Sequence, residues 1–190
     1  MKHIELELRE DMLKVDDTAL VIIDVQGKLA KIMHQSKEVI KNIETLIQGA
    51  KLLDIPVLWV EQYPKGLGPT TPEVKQHLSD EESIDKVVFS AYQSETFQEQ
   101  LKQINRKNLL ITGIEAHICV YQTVQDLLTT GHYVEVVTDC VSSRTLADKN
   151  VGIEKMKLMG ASITSVEMAL FELLHTAKNP QFKAISNLIK

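Results

Sequence analysis

Several features are scarce in this chain, and each scarcity closes a line of argument. Cys119 and Cys140 are the 2 cysteines in 190 residues, without CxxC spacing, so a disulfide framework is ruled out and a reducing compartment suits both thiols. No run approaches the roughly 18 consecutive apolar residues that a membrane span needs, and MKHIELELREDML is charged throughout, unlike a signal peptide. The expectation is a soluble, cytoplasmic protein with no membrane partner. No G-x-G-x-x-G or G-x-x-x-x-G-K-[ST] stands at a strand exit, which sets aside dinucleotide binding, and no G-x-S-x-G forms a serine elbow. Basic residues never gather in a stripe: 21 Lys and Arg lie interspersed among 26 Asp and Glu, for a net charge of -5, and this argues against nucleic acid as a partner. Internal repeats and low-complexity segments are absent.

What is present reads as one domain over residues 1–190, since 44% hydrophobic residues in a chain of this length suit a single sizeable core. After a polar N-terminal arm (1–17), Leu20 to Ile23 form an apolar run ending in Asp24, and helix-spaced apolar residues follow from Leu29 to Leu53, with a break near Gln35-Ser36. Ile55-Pro56 ends that helix. Val57 to Val60 then predict a second strand delivering Glu61 and Gln62, and YPKGLGPTTP (63–72) predicts a loop. A short helix opens at Pro72. Val87 to Phe89 predict a third strand, Phe97 to Ile104 a helix, Leu109 to Thr112 a fourth strand, Tyr133 to Val137 a fifth and Ser162 to Thr164 a sixth. Helices fill the intervals, and a last short helix lies in the tail (176–190). Strands alternating with helices predict a three-layer α/β/α, Rossmann-like fold on a six-stranded parallel sheet.

The stretch from Asn108 to Leu128 carries the chemistry. Its apolar run breaks at Gly113 and resumes at helical spacing through Ile118, Tyr121, Val124 and Leu128, which puts Cys119 in a first helical turn. Unpaired NH groups and the positive dipole end favour a thiolate there. A buried core cysteine is the other reading, and this stretch alone leaves both open. Ligands of open α/β sheets sit outside the carboxyl ends of the strands, so Asp24, Glu61, Gln62, Ser90, Cys119, Asp139 and Arg144 are the candidates. Lys86, at the head of an apolar run, either snorkels outward or points into the site.

VIIDVQ with Asp24, DKVVFSAY with Lys86 and GIEAHICV with Cys119 occur in that order. Together they resemble the isochorismatase-like cysteine hydrolase superfamily, which includes nicotinamidases and N-carbamoylsarcosine amidases, from Thr18 to about Leu174. VEQYPKGLGPTTPE, GIEAHICVYQT and NPQFKAISNLIK look most like its isochorismatase domain-containing branch. The resemblance implies a catalytic triad of Asp24, Lys86 and Cys119: the thiol attacks a carbonyl or imine carbon, Asp24 takes its proton and later guides water, and Lys86 holds both partners in their charged forms. It also implies a cis peptide between Ile114 and Glu115, an oxyanion hole from the NH groups of Glu115 and Cys119, and a pocket lined by Gln26, Gln62, Tyr63, Tyr92, His117 and Ile118. Relatives assemble as dimers, tetramers or larger rings, which implies a homo-oligomer.

The departures narrow the substrate. Nicotinamidases bind a divalent metal through an aspartate and histidines after the second strand, whereas Glu61-Gln62-Tyr63 stand here. No metal and no other cofactor is therefore expected, and the loss argues against nicotinamidase activity. Ala116 and His117 replace a threonine and an acidic residue common in relatives. Arg144 is open between an anionic substrate, Asp139 and a neighbouring chain. The expected activity is hydrolysis of a small amide or ureide-type C–N substrate. The alternatives are an oligomeric binding or regulatory protein and a thiol sensor of oxidants that retain the triad.

Overall fold

The computed structural model describes residues 13–79 and 81–190. The described residues form six strands: β1 (Thr18–Ile23), β2 (Val57–Gln62), β3 (Ile84–Lys86), β4 (Asn108–Ile114), β5 (Tyr133–Ser142) and β6 (Ser162–Thr164). Between and after them lie α1 (Gly27–Lys31), α2 (Ser36–Leu52), α3 (Pro64–Leu67), α4 (Pro72–Lys75), α5 (Glu95–Ile104), α6 (Tyr121–Thr129), α7 (Leu146–Leu158), α8 (Val166–Leu174) and α9 (Phe182–Ile189). The sheet order is β3-β2-β1-β4-β5-β6, and every neighbouring pair is parallel.

A parallel sheet covered on both faces needs strands that are apolar on both faces, which is why β1 reads as an unbroken hydrophobic run and is buried at all six positions. Successive side chains part to opposite sides. Leu20 and Ile22 join Ile43, Leu46, Leu170 and Leu173 in one core, while Ala19, Val21 and Ile23 join Phe97, Val120, Val124 and Met156 in the other. The tail closes the first core: Ile185 of α9 is buried, and Phe182 meets Phe171 edge-on with ring centroids 6.1 Å apart. The three-layer α/β fold is as expected.

Two local expectations need correction and one is sharpened. The third strand is not Val87 to Phe89: β3 ends at Lys86, and Val87 and Phe89 are 76% and 56% exposed. Those residues are apolar, but the carbonyls of Val88 and Phe89 turn toward the Lys86 ammonium, which takes the segment out of the ladder. The expected loop at 63–72 contains a short helical turn, α3, entered at Tyr63 with a left-handed φ of 36°. The break near Gln35-Ser36 is real, with Gln35 at φ 51° between α1 and α2. Most of the N-terminal arm, residues 1–12, lies outside the described residues. Among the described residues no helix is long and apolar enough to cross a membrane.

Candidate active site

The strand order reverses direction between β1 and β4, and in an open α/β sheet the ligand crevice forms at that switch, outside the carboxyl ends. Asp24 follows β1 and Cys119 follows β4, so topology brings them to one place. Asp24 takes a left-handed backbone, φ 54°, which aspartate tolerates better than most residues. Gly113, at φ 116°, ends the register of β4 against Ile23; a methyl there would collide with the Ile23 carbonyl. The Ile114–Glu115 peptide is cis. The chain then makes a π-helical turn (Ala116–Val120) before α6, and Cys119 sits in that turn, 8% exposed.

Lys86 comes from β3, two strands from β1, and its side chain reaches across the end of β2. Its Nζ donates to Asp24 Oδ2 at 2.7 Å and to Gln62 Oε1 at 2.7 Å, with side-chain exposures of 0% for Lys86 and 2% for Asp24. The carbonyls of Val88 and Phe89 accept from the same ammonium at 3.3 and 3.2 Å. Of the two readings for Lys86, the inward one holds. Asp24 Oδ1 is buried without a hydrogen-bond partner among the described residues, and the Cys119 thiol and the Gln62 NH stand close enough to ease the charge on this carboxylate.

The electrostatics correct one expectation. Burial pushes the Cys119 thiol up to about 12, the Asp24 charge adds to the rise and so does Glu115, while Lys86 opposes it. A helix start was expected to favour thiolate, but desolvation and a facing carboxylate outweigh that effect. The resting group is a neutral thiol. Asp24 is itself raised, by burial first, with the Lys86 charge pulling it down. A carboxylate made more basic beside a neutral thiol is a proton acceptor in waiting.

The remaining predicted residues divide. The side chain of Gln62 is engaged, accepting from Lys86 and donating to Val87 O at 3.0 Å. Gln26 is fully buried; it donates to Gln62 O and Gly68 O and accepts from Gln62 N, so it braces the loop. Glu61 accepts from Thr70 N at 2.6 Å, and Trp59 Nε1 donates to Thr70 Oγ1 at 2.8 Å, tying the same loop down. Tyr63 is 54% exposed. Tyr92 and Ile118 are half-buried against the second core. His117 Nδ1 lies 2.9 Å from Ser143 Oγ. Among the described residues no three His, Cys, Asp or Glu side chains gather as metal ligands.

Two residues have other roles than those expected. Asp139 caps α8, both carboxylate oxygens accepting from Val166 N at 3.1 and 3.2 Å. Arg144 pairs with Glu115, not with Asp139, Nε to Oε2 at 3.0 Å. Sequence reasoning missed this contact because strands β4 and β5 had to be placed side by side before residues 115 and 144 could meet.

Comparison with known proteins agrees with the geometry. The Isochorismatase domain matches residues 18–168. The secreted isochorismatase effector Isc1 of Phytophthora sojae (strain P6497) is 40% identical over 177 residues, covering 91% of this chain and 84% of its own. Isochorismatase domain-containing protein 2 of Xenopus laevis is 36% identical, covering 90% and 83%. A solved structure described as the MAR1 ribonuclease of Caenorhabditis elegans superposes with a TM-score of 0.88 at 37% identity, covering 94% of this chain and 92% of that one.

Proposed function

The chain belongs to the isochorismatase-domain family of hydrolases, and on that premise we propose that it hydrolyses a small amide or ureide-type C–N bond through Cys119, Asp24 and Lys86, without a metal or other cofactor. The observation that carries this reading is the buried Lys86–Asp24 pair, 2.7 Å long, near Cys119, which is 8% exposed. A buried ion pair is a poor stabiliser compared with apolar packing, so its presence at a crevice calls for a chemical role.

The steps follow from the charges. As sulfur attacks the carbonyl carbon, its proton passes to Asp24, the C=O π pair moves to oxygen, and the NH groups of Glu115 and Cys119 receive the oxyanion. Protonating Asp24 removes the charge that opposed the thiolate, while Lys86 remains positive, so the transfer reinforces itself. The C–N bond then breaks, the leaving nitrogen takes the proton from Asp24, and a thioester remains. Water attacks the thioester, giving a proton to Asp24, and the sulfur leaves and is reprotonated. Gln62, Tyr63, Tyr92, His117 and Ile118 shape the mouth, and Gln26 holds its loop.

The whole chain acts as one domain and as a homo-oligomer in the cytoplasm. On α7, Val151 and Leu158 stand two turns apart on one face, 64% and 87% exposed, a surface that a second copy would cover. Two buried free thiols suit a reducing compartment. The net charge of -5 and a thiol nucleophile support a small neutral substrate over RNA, the substrate named for the solved nematode relative.

The test pairs iodoacetamide alkylation with a panel of small amides and ureides, with RNA as counter-substrate. Because Asp24 raises the thiol, Asp24→Asn is expected to alkylate faster than wild type at pH 9 and yet to lose hydrolysis. Hydrolysis surviving in Cys119→Ala, or a cut RNA with intact amides, would overturn the reading.

A further inference from the structure

The turn that carries Cys119 is gripped from one side by the segment joining β5 to α7. Glu115, the residue before the π-helical turn, has a side chain only 9% exposed, and a carboxylate so placed is costly unless paired. Its Oε2 accepts twice from a single residue, from Arg144 Nε at 3.0 Å and from Arg144 N at 3.3 Å. The preceding residue, buried Ser143, meets His117 Nδ1 at 2.9 Å. Gly152 of α7 completes the grip: a methyl on it would stand 2.8 Å from the Ala116 carbonyl and 2.9 Å from His117 N. Residues 115 and 117 thus bond to this segment, and residues 116 and 117 lie close against the helix that follows it.

Resting on the reading of Cys119 as nucleophile, we propose that Arg144 is a positioning residue: through the Glu115 carboxylate it fixes the turn that presents Cys119 and offsets a negative charge beside the thiol. The Arg144 side chain is 55% exposed, so a contribution to stability from this pair is small and screened, and its value lies in geometry and field. Glu115 acts on the thiol as a charge, in the unfavourable direction for ionisation. Arg144 is the cation bonded to that charge. Its backbone and guanidinium hold the same oxygen, so the side chain of Glu115 cannot swing without breaking both bonds.

The test uses the full chain and variants Arg144→Gln, Arg144→Lys, Glu115→Gln and the Glu115→Gln/Arg144→Gln pair. Cys119 alkylation by iodoacetamide is followed by intact mass from pH 7 to 11, with melting temperature as a fold check. Arg144→Gln should slow alkylation at pH 9 by roughly three- to tenfold, through a rise in the thiol pKa of one unit or less. Glu115→Gln should speed it, Arg144→Lys should fall between wild type and Arg144→Gln, and the double variant should match Glu115→Gln, because Arg144 acts only through the charge it pairs. An unchanged profile in Arg144→Gln, or two independent and additive effects, would sink the proposal. A wild-type thiol that stays unreactive until the chain unfolds would instead sink the nucleophile reading. In that case the amide shifts of residues 115 to 119 decide the clamp: Arg144→Gln moves them if the grip exists and leaves them in place if it does not.

Discussion

Among the described residues two constellations share the same three residue types, and the proposed reaction uses only one of them. Cys119 lies with Asp24 and Lys86; Cys140 lies with Asp139 and Lys149. In both, burial and the neighbouring carboxylate push the thiol up. The difference is in access and in free lone pairs. Cys140 is 0% exposed and Cys119 8%. Both oxygens of Asp139 are occupied by Val166 N, whereas Asp24 keeps Oδ1 unoccupied. Lys149 feels Asp139 only at a distance, with its own ammonium made less basic by burial, and lines an open cleft of about 460 Å³ with Asp139 and Glu38, whose walls do not include Cys140. The proposed catalytic group is thus the one whose carboxylate keeps an oxygen without a partner and whose cysteine is not wholly enclosed.

The strongest way to break this comparison is to delete each thiol. Cys119→Ala should abolish hydrolysis, a loss on the order of a thousandfold or more, as for other removed nucleophiles. Cys140→Ala should leave activity within about twofold and cost stability of about 1 kcal/mol through the lost packing. Peptide mapping after iodoacetamide should find the native adduct on Cys119 alone. Equal effects of the two variants on turnover would erase the distinction drawn here.

The lysines give the next contrast. Lys86→Ala leaves the Asp24 carboxylate buried without its cation, and urea unfolding should show a loss of about 3–5 kcal/mol. Lys149→Ala removes a half-buried charge that makes no ion pair among the described residues, and should change stability by about 0.5 kcal/mol or less. A similar loss in both would mean that the Lys86–Asp24 pair is not the buried unit its geometry indicates.

The last contrast is a pH slope. Cys119 is raised from 9.0 to about 12 in the folded chain, so between those values the folded state keeps a proton that the unfolded state has given up. Stability must therefore fall as pH rises through that window. Cys140, raised well above 9.0, adds a slope of the same sign. Each alanine variant should flatten the alkaline limb by its own share in denaturation curves at pH 9 and above. A limb that steepens would reverse the assigned direction.

The legible parts of the fold were those written in local pattern. Leu20 to Ile23 and Leu109 to Thr112 announced buried strands because both faces of each are covered. The break at Gln35 showed in a lapse of helical spacing. Lys86 points inward, one of the two readings its position left open, but the strand was put on the wrong side of it: Val87 to Phe89 have strand composition, yet the ammonium claims the carbonyls of Val88 and Phe89. The protonation of Cys119 was misjudged for a related reason. Helix-start logic concerns a few neighbouring NH groups, whereas burial and Asp24 act through space from elsewhere in the chain.

The sequence by itself determined the alternating α/β order, the two-faced core and the identity of the groups at the strand ends, because periodicity and residue type are local properties. The tertiary structure alone decided which of those groups meet. It set Lys86 against Asp24, left Asp24 Oδ1 buried without a partner, and closed Arg144 onto Glu115. Such contacts depend on strand order and helix packing, and no spacing along the chain encodes a distance across a sheet.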